Sequence, residues 1–253
     1  LQSKGLDPFQ VALEHTHDMG MEFHASYRPA GFKFPPAHDH FDYGDAFYDK
    51  HPELRGLGRE GNPTPRLAYT YPETRQYAVS LLREVATNYD VDGVCLLYNR
   101  RPPFSEFEMP LVDGFKREYG EDPREIADDD PRWLSYRCGV LTQLMREVRE
   151  AMDEEARKQG RRRIAISAIV MRDAAENLYY GMDLQTWISE GLVDTLIPYT
   201  SAVFLDSESD SWIDPHGADY FLGLTNGTST NVAMSLLPRQ MSAETYRERA
   251  SGL

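Results

Sequence analysis

Two uninterrupted apolar runs, Gly93 to Tyr98 (GVCLLY) and Ile164 to Met171 (IAISAIVM), constrain the fold more than any other feature of the sequence. A strand apolar on both sides is covered on both faces, which is the condition of a parallel sheet in an α/β protein. Helical periods alternate with these runs. Pro72 opens one that repeats Tyr77, Leu81, Leu82 and Val85 up to Tyr89, and Asp130-Pro131 opens a long one to Gln159, stopped by Gly160. Asp7-Pro8 starts a shorter helix that stops at Gly20. Met21 to Arg28 then alternates as a strand, with Phe23, Ala25 and Tyr27 on one face and His24, Ser26 and Arg28 on the other. Further strands are expected at Val193 to Tyr199 and Val232 to Leu237, and helices around Trp187, from Asp214-Pro215 to Leu224, and from Ser242.

Repeated βα units give either an open doubly wound sheet or a closed barrel. No strand is followed by GxGxxG or GxxxxGK[ST], so the usual signature of a nucleotide-binding open sheet is missing and no cofactor is expected. Long, polar, aromatic-rich segments follow the strands at 29–65, 99–130 and 200–213, where a barrel keeps its active-site loops. The expectation is an α/β chain with a (β/α)8 TIM barrel as its single domain over 1–253. Five or six strands fall short of eight, and the chain opens at a helix. The barrel is therefore expected to be incomplete at one or both termini, its remaining elements lying before Leu1 or after Leu253.

Charge narrows the partners. Lys+Arg 27 against Asp+Glu 41 leaves −14, which disfavours nucleic acid and anionic membranes, both polyanions. No stretch approaches the roughly 18 apolar residues of a membrane helix. Cys95 and Cys138 make neither a disulfide framework nor a zinc pattern. Leu1 is not followed by a signal-peptide pattern, so any export signal would precede it; a secreted or periplasmic location is compatible with these residues. Tyrosine, at 15, exceeds Phe at 11 and Trp at 3, which suits a polar-ring ligand such as a carbohydrate as well as half-buried core edges.

Four segments carry a resemblance: His17 to Arg28 (HDMGMEFHASYR), Arg66 to Arg75 (RLAYTYPETR), Tyr89 to Arg100 (YDVDGVCLLYNR) and Gly181 to Asp194 (GMDLQTWISEGLVD). Together they resemble the glycosyl hydrolase-like family 10 barrels, and the resemblance covers most of the chain. It implies a TIM barrel acting on carbohydrate. One departure matters: where related barrels end the strand after Asp-Gly with an aspartate, the nucleophile of sugar-cleaving relatives, this sequence has Leu97. That implies either a carboxylate from elsewhere or no hydrolysis.

Glycoside cleavage ordinarily needs two carboxyl groups across the scissile bond. Glu106 and Glu108, just after the Gly93 to Tyr98 run, are the leading catalytic pair, and Glu108 between Phe107 and Met109 has the apolar setting of an acid. Their bland alternative is a solvated loop. Asn99 shares the face of Cys95 and Leu97 and suits a sugar hydroxyl, or a strand-end turn. Arg100 suits an acidic sugar, or an ion pair with Glu106 or Asp113. Arg28 and His24 are substrate-binding candidates on the polar face of their strand, His24 being more readily a structural hydrogen-bonding group. His38, Asp39 and His40 are read as substrate contacts rather than metal ligands, and no metal is expected. Tyr199 and Trp212 are stacking candidates or core residues. Asp92, Gly93 and Asp194 precede their strands and read as structural. Three functions follow: a glycoside hydrolase on a poly- or oligosaccharide; a carbohydrate-binding barrel without hydrolysis, motivated by Leu97; and a metal-dependent barrel hydrolase, motivated by His24, His38 and His40.

Overall fold

The computed structural model describes residues 5–29, 46–99, 103–161, 163–199 and 218–234, with 242, 244, 247 and 248. Helix α1 (Pro8–Asp18) begins where the Asp7 carboxylate accepts from Phe9 N at 2.9 Å, satisfying one of the free amides of a first turn. Strand β1 (His24–Tyr27) and the short helix α2 (Ala46–Lys50) follow, then the antiparallel pair β2 (Arg55–Leu57) and β3 (Pro63–Leu67). Helix α3 (Pro72–Asn88) leads into β4 (Gly93–Leu97), and α4 (Met109–Tyr119) and α5 (Pro131–Lys158) into β5 (Ala165–Met171). Helices α6 (Ala174–Tyr179) and α7 (Leu184–Ser189), β6 (Thr195–Tyr199), α8 (Asp219–Thr225) and β7 (Asn231–Val232) complete the described elements.

Strands β1, β4, β5, β6 and β7 form one parallel sheet in that order. Apart from the β2–β3 hairpin, spatial order is chain order. A doubly wound sheet reverses direction at a switch point, whereas barrel strands succeed one another, so the five described strands have the succession of a barrel.

Register sorts the residues into two faces. Val94, Leu96 and Tyr98 lie beside Ile166, Ala168, Val170 and Leu196, all fully enclosed. Ala78, Leu82, Leu141, Leu144, Met145, Val148 and Trp187 from the helices join them in one core, and this continuous apolar contact accounts for the unbroken strand pattern. The opposite face carries His24, Ser26, Cys95, Leu97, Ser167, Ile169, Thr195, Ile197 and Tyr199. At its lower end His24 Nδ1 and Ser167 Oγ are 2.9 Å apart. Gly93 is required there: a Cβ would fall 2.7 Å from the Ala165 carbonyl and 2.8 Å from the His24 ring.

The amino ends of the strands are tied by carboxylates. Asp92 accepts from Phe23 N at 2.7 Å and sits 2.8 Å from His17 Nε2. Asp194 accepts from Ile166 N at 2.7 Å, from Arg149 at 3.1 Å and from Arg163 at 2.9 Å. Asp194→Ala strands a buried amide and removes one partner of the enclosed Arg149, so urea unfolding should show a loss of about 2–3 kcal/mol; a loss under about 0.5 kcal/mol would contradict this role.

The segment 29–65, expected as a functional loop or an ordered excursion, and the segment 99–130, expected as a loop, both contain regular structure. Within 29–65 the chain forms α2 and the hairpin, and within 99–130 it forms α4, whose Leu111, Val112 and Phe115 are buried. Pro110 and Gly114 disguise α4 as a loop. Pro110 occupies the first turn, where no amide bond is lost, and Gly114 is dictated by packing, because a Cβ there would overlap the Tyr136 hydroxyl. Of the helix expected from Asp214, the described part begins at Asp219; most of the strand expected at Val232 to Leu237 and most of the helix from Ser242 lie outside the described residues.

Candidate active site

The β2–β3 hairpin lies against the segment between β4 and α4. Phe107 N donates to Leu57 O at 2.8 Å and Tyr69 N to Phe104 O at 2.9 Å. At the start of α4, Glu108 reaches back into this seam. Its Oε1 accepts from Leu57 N at 3.3 Å and Glu106 N at 3.1 Å, and its Oε2 from Glu106 N at 3.0 Å and the Thr70 hydroxyl at 2.8 Å. Every partner is a donor, as an ionised carboxylate requires. Burial nonetheless pushes the carboxyl above its ordinary range, with the hydrogen bonds from Thr70, Glu106 and Leu57 pulling the other way.

Glu106 is only half-buried. Burial raises its carboxyl too, opposed by Arg66, the neighbouring Thr64 hydroxyl and Arg137. It faces a cleft of about 380 Å³ lined also by Arg59, Pro103, Phe107, Asp128, Arg137, Tyr179 and Tyr180. Arg59 pairs with Asp128, donates to the carbonyls of Arg124 and Ile126, and lies 4.8 Å from the Phe107 ring centroid.

Both glutamates converge on Gly56. A Cβ there would lie 3.2 Å from Glu108 Oε1, 3.5 Å from Glu106 Oε2 and 2.6 Å from Thr64 Oγ1. The two carboxyls are therefore no farther apart than the sum of the first two distances, and on separation alone the pair could serve one glycosidic bond. Access separates them: Glu108 has 0% exposure, so its oxygens meet the hairpin rather than a ligand, while Glu106 meets the cleft. Gly56→Ala should cost about 1–3 kcal/mol through overpacking and shift the Glu106 carboxyl, read together as a lower Tm and an altered pH profile.

The other candidates are dispersed. Leu97 and Asn99 follow one another along the face opposite the helices at the carboxyl end of β4, and Tyr199 ends β6 on the same face in register with Met171. Asn99 is 5% exposed, and its Oδ1 has no hydrogen-bond partner among the described residues. Arg28 follows the carboxyl end of β1, half-buried. His24 is at the amino end of that strand, 2.9 Å from Ser167 Oγ and 3.4 Å from Glu22. His38, Asp39, His40, Arg100 and Trp212 lie outside the described residues. Among the described residues, no three His, Cys, Asp or Glu side chains are grouped to hold a metal.

Asp128, Arg137, Tyr179 and Tyr180, which also line the cleft, are not candidates on sequence grounds. Asp128 belongs to a run, Asp128 to Asp130, that reads as solvated, and Arg137 looks like a surface residue of a long helix. The adjacent tyrosines before Gly181 were the one available signal, an aromatic pair at a helix end.

The model of a family described as glycosyl hydrolase-like 10 matches residues 1–209. The chain is 26% identical over 216 residues to glycosyl hydrolase YngK of Bacillus subtilis (strain 168), covering 77% of this chain and 38% of that protein. It is 24% identical over 194 residues to an S-layer-related protein of Niallia circulans, covering 65% of this chain and 12% of that one. The chain thus spans well under half the length of these relatives. Among solved structures it is similar to the glycoside hydrolase domain of PgaB (BpsB) from Bordetella bronchiseptica, with a TM-score of 0.49 and 16% identity over 75% of this chain and 54% of that one.

Proposed function

Since the chain belongs to the glycosyl hydrolase-like 10 family, we propose that it is a carbohydrate-active barrel that hydrolyses a glycosidic bond of a poly- or oligosaccharide, with Glu106 as proton donor. The observation that carries this reading is the contrast between the two glutamates: both are raised by burial, and only Glu106 opens onto a cleft. Glu108 is a positioning residue, since its carboxylate accepts from the Glu106 amide and holds the catalytic segment to the hairpin. Asp128 is the second carboxylate of the cleft. In the proposed step water attacks the anomeric carbon, the bond to the leaving oxygen breaks, Glu106 gives that oxygen its proton and Asp128 takes one from the water. Tyr179 and Tyr180 offer ring faces to the sugar. Asn99 and Tyr199, with Arg28, remain ligand contacts at the strand ends.

Release of reducing ends from a panel of polysaccharides tests the reading. The wild type should turn one over and Glu106→Gln should not; equal rates would overturn the assignment. Leu97 supports a second reading. On the face of β4 where the family resemblance calls for a carboxylate there is an aliphatic side chain, which suits a barrel that binds glycan without cleaving it. Saturable binding by a wild type that releases no reducing ends would select that second reading.

A further inference from the structure

Arg137, two turns into α5, is 7% exposed and lines the cleft that Glu106 faces. Its guanidinium donates to the Tyr179 carbonyl and lies 5.7 Å from the Trp133 ring centroid and 5.5 Å from that of Tyr179. Among the described residues no carboxylate lies within ion-pair distance of it; Glu106 and Asp128 act on it only from farther away. The comparison within the same helix is Arg149, 6% exposed, which is paired with both Asp153 at 2.6 Å and Asp194 at 3.1 Å. Enclosing a cation without an anion is costly. Asp128 pairs with Arg59 instead and acts on Arg137 only from beyond ion-pair distance. The cleft therefore contains an enclosed guanidinium beside two aromatic rings with no carboxylate at ion-pair distance among the described residues, and its planar fork matches a carboxylate or sulfate.

We propose that Arg137 is an anion subsite that takes the carboxylate or sulfate substituent of an acidic sugar unit, so that the ligand of this cleft is an acidic glycan. The proposal rests on the carbohydrate reading above but not on cleavage. The net charge of −14 does not oppose it: that charge repels extended polyanions at long range and is screened within about 10 Å at 0.1 M salt, whereas Arg137 acts at contact. Tyr179 and Tyr180 would hold the ring while the fork holds its substituent.

The test is calorimetric binding to the Glu106→Gln protein, so that turnover plays no part. The probes are oligogalacturonate, oligoglucuronate and a sulfated oligosaccharide, each against its neutral methyl-esterified or desulfated counterpart. At least one charged probe should bind about tenfold or more tighter than its neutral partner, and whether it carries carboxylate or sulfate identifies the anion. Arg137→Gln should abolish the preference. Arg137→Lys, checked for folding by circular dichroism, should keep the charge, lose the fork and weaken the preference several-fold. No charge preference in any pair, or a preference that survives unchanged in a folded Arg137 variant, would overturn the proposal. Acidic-glycan binding in a wild type without reducing-end release would defeat the cleavage reading and leave this one standing.

Discussion

Glu108→Ala should lower the unfolding free energy by about 3–5 kcal/mol, because the Leu57 and Glu106 amides and the Thr70 hydroxyl each lose their acceptor inside the seam. For a chain of this size that corresponds to a fall in Tm of about 10 °C. Glu108→Gln retains one acceptor oxygen and should lose less. The sign of the pH dependence follows from the raised carboxyl. Between the unfolded carboxyl value and the higher folded one, the folded chain keeps a proton that the unfolded chain has released, so this group's contribution to stability declines as pH rises through that window. The gap between wild type and Glu108→Ala is accordingly wider on the acid side. Urea titrations at several pH values measure both. A cost below about 0.5 kcal/mol, typical of a solvated loop residue, would mean that Glu108 does not hold the hairpin.

That expectation depends on a contact the sequence does not advertise. The parallel sheet was legible because Gly93 to Tyr98 and Ile164 to Met171 are apolar without alternation, and the structure accounts for both sides of each strand: one face under α3 and α5, the other carrying Cys95, Leu97, Ser167 and Ile169. The helix starts at Asp7, Pro72 and Asp130 were legible for a local reason, since each has Pro in the first turn and two of them an Asp cap before it. The hairpin was hidden because Pro63 and Pro65 demote an edge strand, and its partner Arg55 to Leu57 is three residues long. The two carboxylates of the segment after β4 are visible in the sequence, but the different surroundings of Glu106 and Glu108 are not. Phe107 and Met109 mark Glu108 as apolar in setting, but not that it turns into the seam; what encloses it there is Thr70 and Leu57, 38 and 51 residues away along the chain. Arg137 was invisible for a similar reason, because its lack of an anion is defined by Asp128 pairing with Arg59 instead.

Glu106→Gln should reduce kcat by about 10²–10⁴, the usual contribution of a positioned proton donor, while leaving glycan affinity nearly unchanged. The amide keeps the shape and the hydrogen-bonding reach of the side chain and loses only the transferable proton. Burial holds the Glu106 carboxyl above its ordinary range, so the donor stays protonated to a higher pH than a solvated glutamate, and kcat should fall as pH rises through that folded value. In Glu106→Gln this basic limb should vanish along with most of the rate. Stability provides the control. An ionised carboxyl whose pKa is raised by burial detracts from the folded state above that window, so the substitution should not lower Tm at neutral pH. Loss of rate with an unchanged Tm isolates chemistry from folding. Loss of rate with a fall in Tm comparable to that of Glu108→Ala would instead place Glu106 among the residues that hold the seam. A basic limb that persists in Glu106→Gln would assign the proton to another group.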